Sequence, residues 1–527
     1  MSGELYFSEM MGSGVAFLDY DGDGDQDLYL IQGNMLGGKD VSAAVFPPPG
    51  PLPLSDRLYR NDRVDVGAGS SRFVDVTAAA GLAARGYGMG VATADVDGDG
   101  RVDLYLTNAG ADQLWRNNGD GTFRDDTAAM GLGDRGWGVA AAFLDYDRDG
   151  WADLYVGRYV DYRTAVHKQC VSPTGLIDYC SPLSYEQTAD RLYRNREGHG
   201  FEEVSQRSGL GALKGSGLGA VVCDLDQNGW SDLYVANDQM PNRLWLNRGD
   251  GTFFDEALMS GSAVNEEGHP EASMGVVVGD LDGDGVEDLF ISHLARETNT
   301  FYRGLGGALF EDATRDSGLG APSFKNTGFG VALFDFDLDG GLDLFVGNGA
   351  VKQIEPLARA GDPYPLSEPN QLYRNVGGGR FVEVLAGTAP ILENRSEVTR
   401  GVAVGDLDND GDPDLALNNN VGPARLLENR TTDARWLGLR VLDPVGADLA
   451  EARLTVTPRG GPERSIWRRT GTGGSYASAR DPRVVAGLGA AAAATVEVRR
   501  PGGGRVRYDD LPADHYVTIF TPIGATP

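Results

Sequence analysis

Seven nine-residue stretches of this chain follow the pattern D-x-D-x-[DN]-G-x-x-D, which sets carboxylates at alternate positions around a glycine. The copies supply Asp19, Asp21, Asp23 and Asp27; Asp95, Asp97, Asp99 and Asp103; Asp145, Asp147, Asp149 and Asp153. They continue with Asp224, Asp226, Asn228 and Asp232; Asp280, Asp282, Asp284 and Asp288; Asp335, Asp337, Asp339 and Asp343; and Asp406, Asp408, Asp410 and Asp414. Left alone, such clusters repel themselves, so a cation is expected among them. Oxygen-only donors at positions 1, 3, 5 and 9, a carbonyl at position 7 and a turn glycine at position 6 suit Ca²⁺, which takes roughly six to eight oxygens at roughly 2.3–2.6 Å. Mg²⁺ retains water and fits less well. An EF-hand would need a glutamate at position 12 and flanking helices, whereas position 12 of the first copy is Leu30 and the flanks read as strands. Up to seven Ca²⁺ are expected. Because each loop supplies nearly all its ligands, these ions read as structural clips rather than catalysts. Only Asn228 departs from aspartate, which predicts a modestly weaker fourth site.

The loops repeat because the elements around them repeat. Their starts are 76, 50, 79, 56, 55 and 71 residues apart, so a unit of about fifty residues carries three insertions. Each unit enters its loop through an apolar run such as GVAFLDYD and leaves through DLYL, DLFV or DLAL. A LYRN-like segment follows (58–61, 114–117, 192–195, 372–375), then a phenylalanine segment such as GTFRDDT. These are four short strands per unit. The fold class is therefore all-β: a seven-bladed β-propeller with calcium-binding loops over residues 1–430. Residues 431–522, with RWLGLRVL, EARLTVTP, TVEVRRP and HYVTIF, read as a small separate β-domain, and 523–527 as a tail. The seventh unit lacks its phenylalanine strand, and LYFSEM at 5–10 is expected to supply it and join the ends of the ring.

Composition narrows the partners. Seventy-seven acidic against 46 basic residues leave a formal charge of −31, which disfavours nucleic acid and anionic membrane surfaces. Seven Ca²⁺ would bring it to −17, so the acidity partly records metal binding. MSGELYFSEM has no basic or apolar signal region, so the chain as it stands reads as cytoplasmic, or secreted if a signal was removed. The run at 484–498 is too short and too glycine-broken for membrane insertion. Of three cysteines, Cys170 and Cys180 can staple the insertion HKQCVSPTGLIDYC if conditions are oxidising, and Cys223 lies in an apolar strand.

Strands alternate in direction, so the acidic loops and GDGT hairpins share one face and the insertions 34–56, 157–190 and 349–370 share the other. That insertion-rich face should carry Arg158, Tyr159, Asp161, Tyr162, Asn237, Asp238, His269, Glu271, His293, Arg296 and Glu297, and it is the expected site for a small molecule or protein. A His, Glu and Asp at one mouth could serve as general acid and base, or could be polar rim residues with no catalytic coupling. Arg248-Gly249-Asp250 occupies a hairpin turn, and Gly215–Ala220 leads into a strand rather than a nucleotide-binding helix. The sequons at Asn394 and Asn429 matter only on export.

The seven loops, and phrases such as TGFGVALFDFDLDGGLDLFVGN, resemble FG-GAP or VCBS repeat proteins, related to the integrin α-chain propeller. Residues 431–522 resemble the ASPIC and UnbV domain of cartilage acidic protein-like chains and their bacterial relatives. That likeness rests on GTGGSYASA (471–479), AGLG (486–489) and VEVRRPGGG (496–504). Ala486 and Arg500 replace the aromatic and tryptophan of the family pattern. The resemblance implies a calcium-binding interaction propeller. Because some bacterial relatives sit among biosynthetic proteins, the alternative is a cyclase- or lyase-type enzyme with its pocket at the propeller mouth.

Overall fold

A computed structural model of the chain describes residues 1–46, 54–63, 72–172, 174–385, 392, 395–431, 434–444, 446–460 and 464–521. Most of the proline-rich run at 46–54, Asn394 and the tail 523–527 lie outside the described residues.

Four-stranded antiparallel meanders recur as the repeat predicts. Val15–Leu18, Asp27–Leu30, Arg57–Asn61 and Phe73–Asp75 form the first. Equivalent sheets run from Gly217–Cys223 to Phe253–Asp255, from Val276–Gly279 to Leu309–Asp312, and from Gly328–Phe334 to Phe381–Glu383. Between the first and the Gly217–Cys223 sheet, two meanders beginning at Gly88–Ala94 and Arg135–Leu144 merge because Ala109, Gly110 and Ala111 pair with Trp137, Gly136 and Arg135. Thr399–Gly405, Asp414–Asn419 and Arg425–Leu427 make a last, three-stranded sheet.

Two repeated residues place the sheets side by side. Five positions before an acidic loop, a Cβ on Gly90, Gly219, Gly275, Gly330 or Gly401 would lie 2.5, 2.2, 2.1, 2.6 or 2.7 Å from the carbonyl oxygen of Val139, Met274, Phe329, Arg400 or Ser13. Neighbouring inner strands therefore approach closer than any side chain allows. The Gly401–Ser13 approach sets the last sheet against the first. The asparagine of the LYRN-like segment is the second device, bonding through Nδ2 to a carbonyl of the preceding unit's acidic loop. Asn117 reaches Tyr20 (2.7 Å), Asn195 Val96 (2.9 Å), Asn247 Tyr146 (2.8 Å), Asn375 Leu281 (2.8 Å) and Asn429 Phe336 (2.8 Å). Asn61 reaches Leu407 (2.9 Å), across the junction between the chain's first and last units. Gly304 holds this position in the fifth unit and has no such bond to offer.

The expected strand at 5–10 does not form. Phe7–Met10 is a single 3-10 turn, and its four residues are buried. Phe7 packs against Trp137, Tyr159, Tyr162 and Tyr185, with ring centroids 5.2–5.8 Å apart. Burying that ring among four aromatics outweighs one short edge pairing, so the N-terminal segment fills the middle of the ring and leaves the last sheet at three strands.

The C-terminal strands follow the expected segments. Val484–Gly489, Arg435–Leu442 and His515–Phe520 form one sheet, the last pair parallel. Ile466–Arg469, Arg453–Pro458, Ala493–Arg499 and Arg505–Pro512 form the other, and the two enclose a core that includes Leu437, Leu454, Val496 and Ile519. This unit is not separate from the repeats: residues 471–479 leave it and enter the ring.

Candidate metal centres and the plugged channel

Each acidic loop is shaped by its own carboxylates. The first aspartate accepts the backbone N–H of the position-6 glycine, as Asp95 does from Gly100 (2.7 Å) and Asp406 from Gly411 (2.8 Å). Those glycines have φ between +81 and +91°. Position 4 is left-handed as well, and it is filled by Arg148, Gln227, Leu338 and Asn409 where glycine is absent; this second strained position was not apparent from the repeat. The ninth residue is buried and uses both oxygens: Asp103 accepts from Val96 N (3.1 Å) and Asn117 N (2.8 Å), and Asp153, Asp232, Asp343 and Asp414 do the same in their units. Asn228 accepts the Trp230 N–H (2.7 Å), the turn bond that aspartate makes elsewhere.

Carboxylate oxygens converge within 4.8 Å of one another in the sets Asp19, Asp21, Asp27; Asp95, Asp97, Asp99; Asp145, Asp147, Asp153; Asp224, Asp226, Asp232; and Asp280, Asp282, Asp288. Burial, reinforced by neighbouring carboxylates, pushes the ninth carboxyl up to about 7 at Asp103, about 8 at Asp27, Asp232, Asp288 and Asp343, and about 9 at Asp153 and Asp414. Oδ1 of Asp97, Asp147, Asp224 and Asp406 is buried without a hydrogen-bond partner. An all-oxygen donor set with unpartnered buried oxygens and surplus negative charge fits a hard cation. Part of that charge meets arginines of the LYRN-like segment, a feature the sequence pattern contained but did not explain. Arg194 contacts Asp147 (2.5 Å) and Asp149 (3.0 Å), Arg303 contacts Asp282 (3.2 Å), Arg374 contacts Asp337 (2.6 Å), and Arg116 pairs with Asp97.

The C-terminal unit docks on this loop face. Arg468 bonds Asp335 (2.8 Å), whose same oxygen accepts Gly487 N (3.0 Å); Tyr516 donates to Asp406 (2.6 Å); and Arg440 lies 3.8 Å from Asp19. Arg469 grips Glu287 through two bonds of 2.8 and 2.9 Å, both side chains being buried. From this base the 471–479 loop runs into the channel and pairs with inner strands: Ser475 exchanges backbone bonds with Val276, Ala479 N reaches Val15 O, and Val91 N reaches Ala477 O. At its tip Tyr476 is fully buried, edge-on to Phe329 (4.9 Å), with its hydroxyl on Met11 O (2.9 Å). Tyr476 thus meets Phe7, Met10 and Met11 in one buried cluster that closes the middle of the channel. A cavity of about 1410 Å³ remains around the 471–479 loop at the acidic-loop end of the channel, lined by inner-strand residues such as Thr93, Val221, Val277, Val331 and Val402, by the first three acidic loops, Arg440 and the 469–474 segment.

The residues expected on the insertion-rich face divide into buried and exposed sets. Arg158 is buried and pairs with Asp112 (2.8 Å) and Asp134 (3.3 Å). Tyr159 is buried and donates to Asp238 (2.5 Å), whose carboxyl burial raises to about 7; the Tyr162 hydroxyl accepts Phe7 N (3.2 Å). Asn237 accepts Ser216 N (2.9 Å) and shapes a turn. Asp161 and His269 are exposed, while Arg296 holds its turn at φ 78°. His293, Glu271 and Glu297 come together, with His293 Nε2 3.8 Å from a Glu271 oxygen. Most of this set is therefore interior packing rather than a rim. Cys170 and Cys180 form the expected disulfide, and Cys223 is free and buried. Among the described residues no helix is long and apolar enough to cross a membrane.

Residues 95–156, 224–291, 280–346 and 360–417 match the FG-GAP-like repeat, and 446–525 match ASPIC and UnbV. The chain is thus an FG-GAP repeat protein carrying an ASPIC/UnbV domain. It is homologous to cartilage acidic protein 1: the Homo sapiens protein is 27% identical over 445 residues, 80% of this chain and 60% of the relative, so the chain spans about three fifths of the curated relative's length. Among solved structures, the BP39L lectin of Burkholderia pseudomallei aligns at TM-score 0.44 and 11% identity, covering 79% of this chain and 95% of the lectin. An Agrocybe aegerita lectin that recognises non-reducing terminal N-acetylglucosamine aligns at TM-score 0.39 and 18% identity, covering 72% and 89%.

Proposed function

We propose that the chain is a seven-bladed propeller whose acidic loops hold structural Ca²⁺ and which serves as a protein-interaction module through its insertion-rich face. The observation that carries this reading is the disulfide-closed hairpin of the second large insertion. Within twenty residues it exposes Val166, Val171, Leu176, Ile177 and Leu183, while the titratable groups beneath it are buried. Exposed aliphatic side chains around a covalently closed loop suit a protein partner better than a reacting small molecule. The enzyme reading needs His293 to face a cavity, and its side chain is only 2% exposed.

Two measurements test the proposal. Elemental analysis should find up to seven Ca²⁺ per chain, with EDTA lowering the melting temperature and Ca²⁺ restoring it; an unchanged melt after verified metal removal refutes the structural role. Capture of partners from the native source, comparing wild type with a Val171→Asp/Ile177→Asp variant, should lose a specific protein in the variant. Identical capture by both refutes the assignment of the face.

A further inference from the structure

The cavity at the acidic-loop end of the channel has a repeated wall. The residue two positions before each acidic loop lines it, and in six of the seven units that residue is apolar: Phe17, Phe143, Val222, Val278, Leu333 and Val404. All but Phe17 are only partly buried, so apolar surface stays open there. Thr93 takes the place in the second unit, and its hydroxyl is buried without a hydrogen-bond partner. The 469–474 segment lines the cavity as well. Gly473 within it has no left-handed φ, and a Cβ there would meet nothing within 4 Å. Neither turn geometry nor close packing requires glycine at this position, and its missing side chain leaves the cavity open. Exposed Gly22, Gly98 and Gly150 line the mouth toward solvent.

Arg480 supplies a charge to this wall. Its Nε and Nη2 donate to the carbonyls of Gly471 (2.8 Å) and Arg469 (3.1 Å), which closes the neck of the loop and leaves Nη1 and one Nη2 hydrogen unused. Among the described residues no carboxylate pairs with it, because nearby acids are committed elsewhere: Asp481 to Arg483 (2.7 Å), Glu287 to Arg469 (2.8 Å) and Glu451 to the Ser231 hydroxyl (2.9 Å). Burial and the Arg469 cation push the Arg480 guanidinium down to about 10. The carboxylates of the mouth are turned to their own loops, as Asp95 is to Gly100 N (2.7 Å) and Asp145 to Gly150 N (3.0 Å).

We propose that this cavity binds an amphipathic carboxylate, whose apolar body lies on the ring of inner-strand side chains and whose carboxylate is held by Arg480. A bound carboxylate gives the buried guanidinium the negative partner it lacks, through the fork geometry that suits the two groups. The apolar ring gains by losing water. At about 1410 Å³ the cavity exceeds the roughly 300–1,000 Å³ of common small-ligand sites, so room does not limit the body.

The test is calorimetric titration of the full chain, loaded with Ca²⁺ and freed of excess ion, with decanoate, decanol and decyltrimethylammonium below their aggregation limits at neutral pH. Decanoate should bind at least about tenfold more tightly than decanol, the scale of one charge-assisted hydrogen bond, and the cation most weakly. Arg480→Gln should bring decanoate down to the level of decanol. Gly473→Trp, which fills the cavity at a position free of backbone strain, should weaken both. Decanoate binding no tighter than decanol in wild type, a preference that survives in folded Arg480→Gln, or binding unchanged in Gly473→Trp overturns the proposal. Because Arg480 also closes the loop neck, its variant counts only where its melt matches wild type; the head-group series and Gly473→Trp decide in either case. Partner capture at the insertion-rich face is read separately, so the two readings fail independently.

Discussion

Replacing Tyr476 probes how the ASPIC/UnbV unit and the repeats are joined. The side chain is fully buried at the centre of the ring, edge-on to Phe329 and hydrogen-bonded to Met11 O at 2.9 Å. Tyr476→Ala removes an aromatic ring and leaves a cavity that strands from several sheets cannot all collapse to fill. A loss of about 3–5 kcal/mol follows from comparable truncations. Tyr476→Phe keeps the ring and its contact with Phe329 but leaves a buried carbonyl short of a donor, for about 1–3 kcal/mol. The assay is urea unfolding in saturating Ca²⁺, followed by near-ultraviolet circular dichroism of the buried aromatics. The order wild type, then Phe, then Ala is the expected result. A loss below about 1 kcal/mol for the alanine variant would show that the loop merely rests in the channel and refute the reasoning. Equal losses for both variants would place the whole effect on the hydroxyl and refute the packing argument.

Two further outcomes follow from buried charge. Burial pushes the Glu287 carboxyl up, but the Arg469 guanidinium brings it below the usual carboxylate range; Glu287→Gln should cost about 3–5 kcal/mol by leaving that arginine uncompensated. The same variant should speed limited proteolysis near 431–434, and an unchanged cleavage rate would mean that this pair does not hold the docked unit. In metal-free protein, the ninth-position aspartates have pKa values raised to about 7–9 from the ordinary 3.8. A raised folded-state value means that the folded chain binds more protons, so their contribution is present at low pH and lost as pH rises from about 4 through about 7–9. Metal-free protein should therefore melt at a higher temperature near pH 6 than near pH 9, with Ca²⁺ reducing the difference; a melt independent of pH after metal removal would refute this.

The acidic loops, the strand order and the three insertions were legible because each unit restates them and because alternation of apolar residues needs only neighbours along the chain. Asn61, Asn117, Asn195, Asn247, Asn375 and Asn429 were equally visible as a repeated letter, but their role required the neighbouring unit's carbonyl. LYFSEM was misread because a strand vacancy and an aromatic pocket make similar demands on sequence; Phe7 found four rings gathered from distant segments. Strand direction alone assigned Arg158, Tyr159 and His293 to strand ends away from the acidic loops, but it could not say whether their side chains are exposed. Their burial depended on partners from distant segments, such as Asp112 and Asp134 at Arg158 and Asp238 at Tyr159, which spacing does not encode.

By itself, the sequence determined an all-β repeat chain with seven acidic turns, since carboxylate spacing, position-6 glycines and strand alternation are local properties. Only the tertiary structure decided that the ASPIC/UnbV unit covers the acidic-loop face and sends Tyr476 into the channel. It also brought His293 to Glu271 across twenty-two positions. Those outcomes arise from packing and charge pairing between segments far apart in the chain, such as Arg469 with Glu287 and Arg468 with Asp335, whose complementarity exists only once the ring has formed.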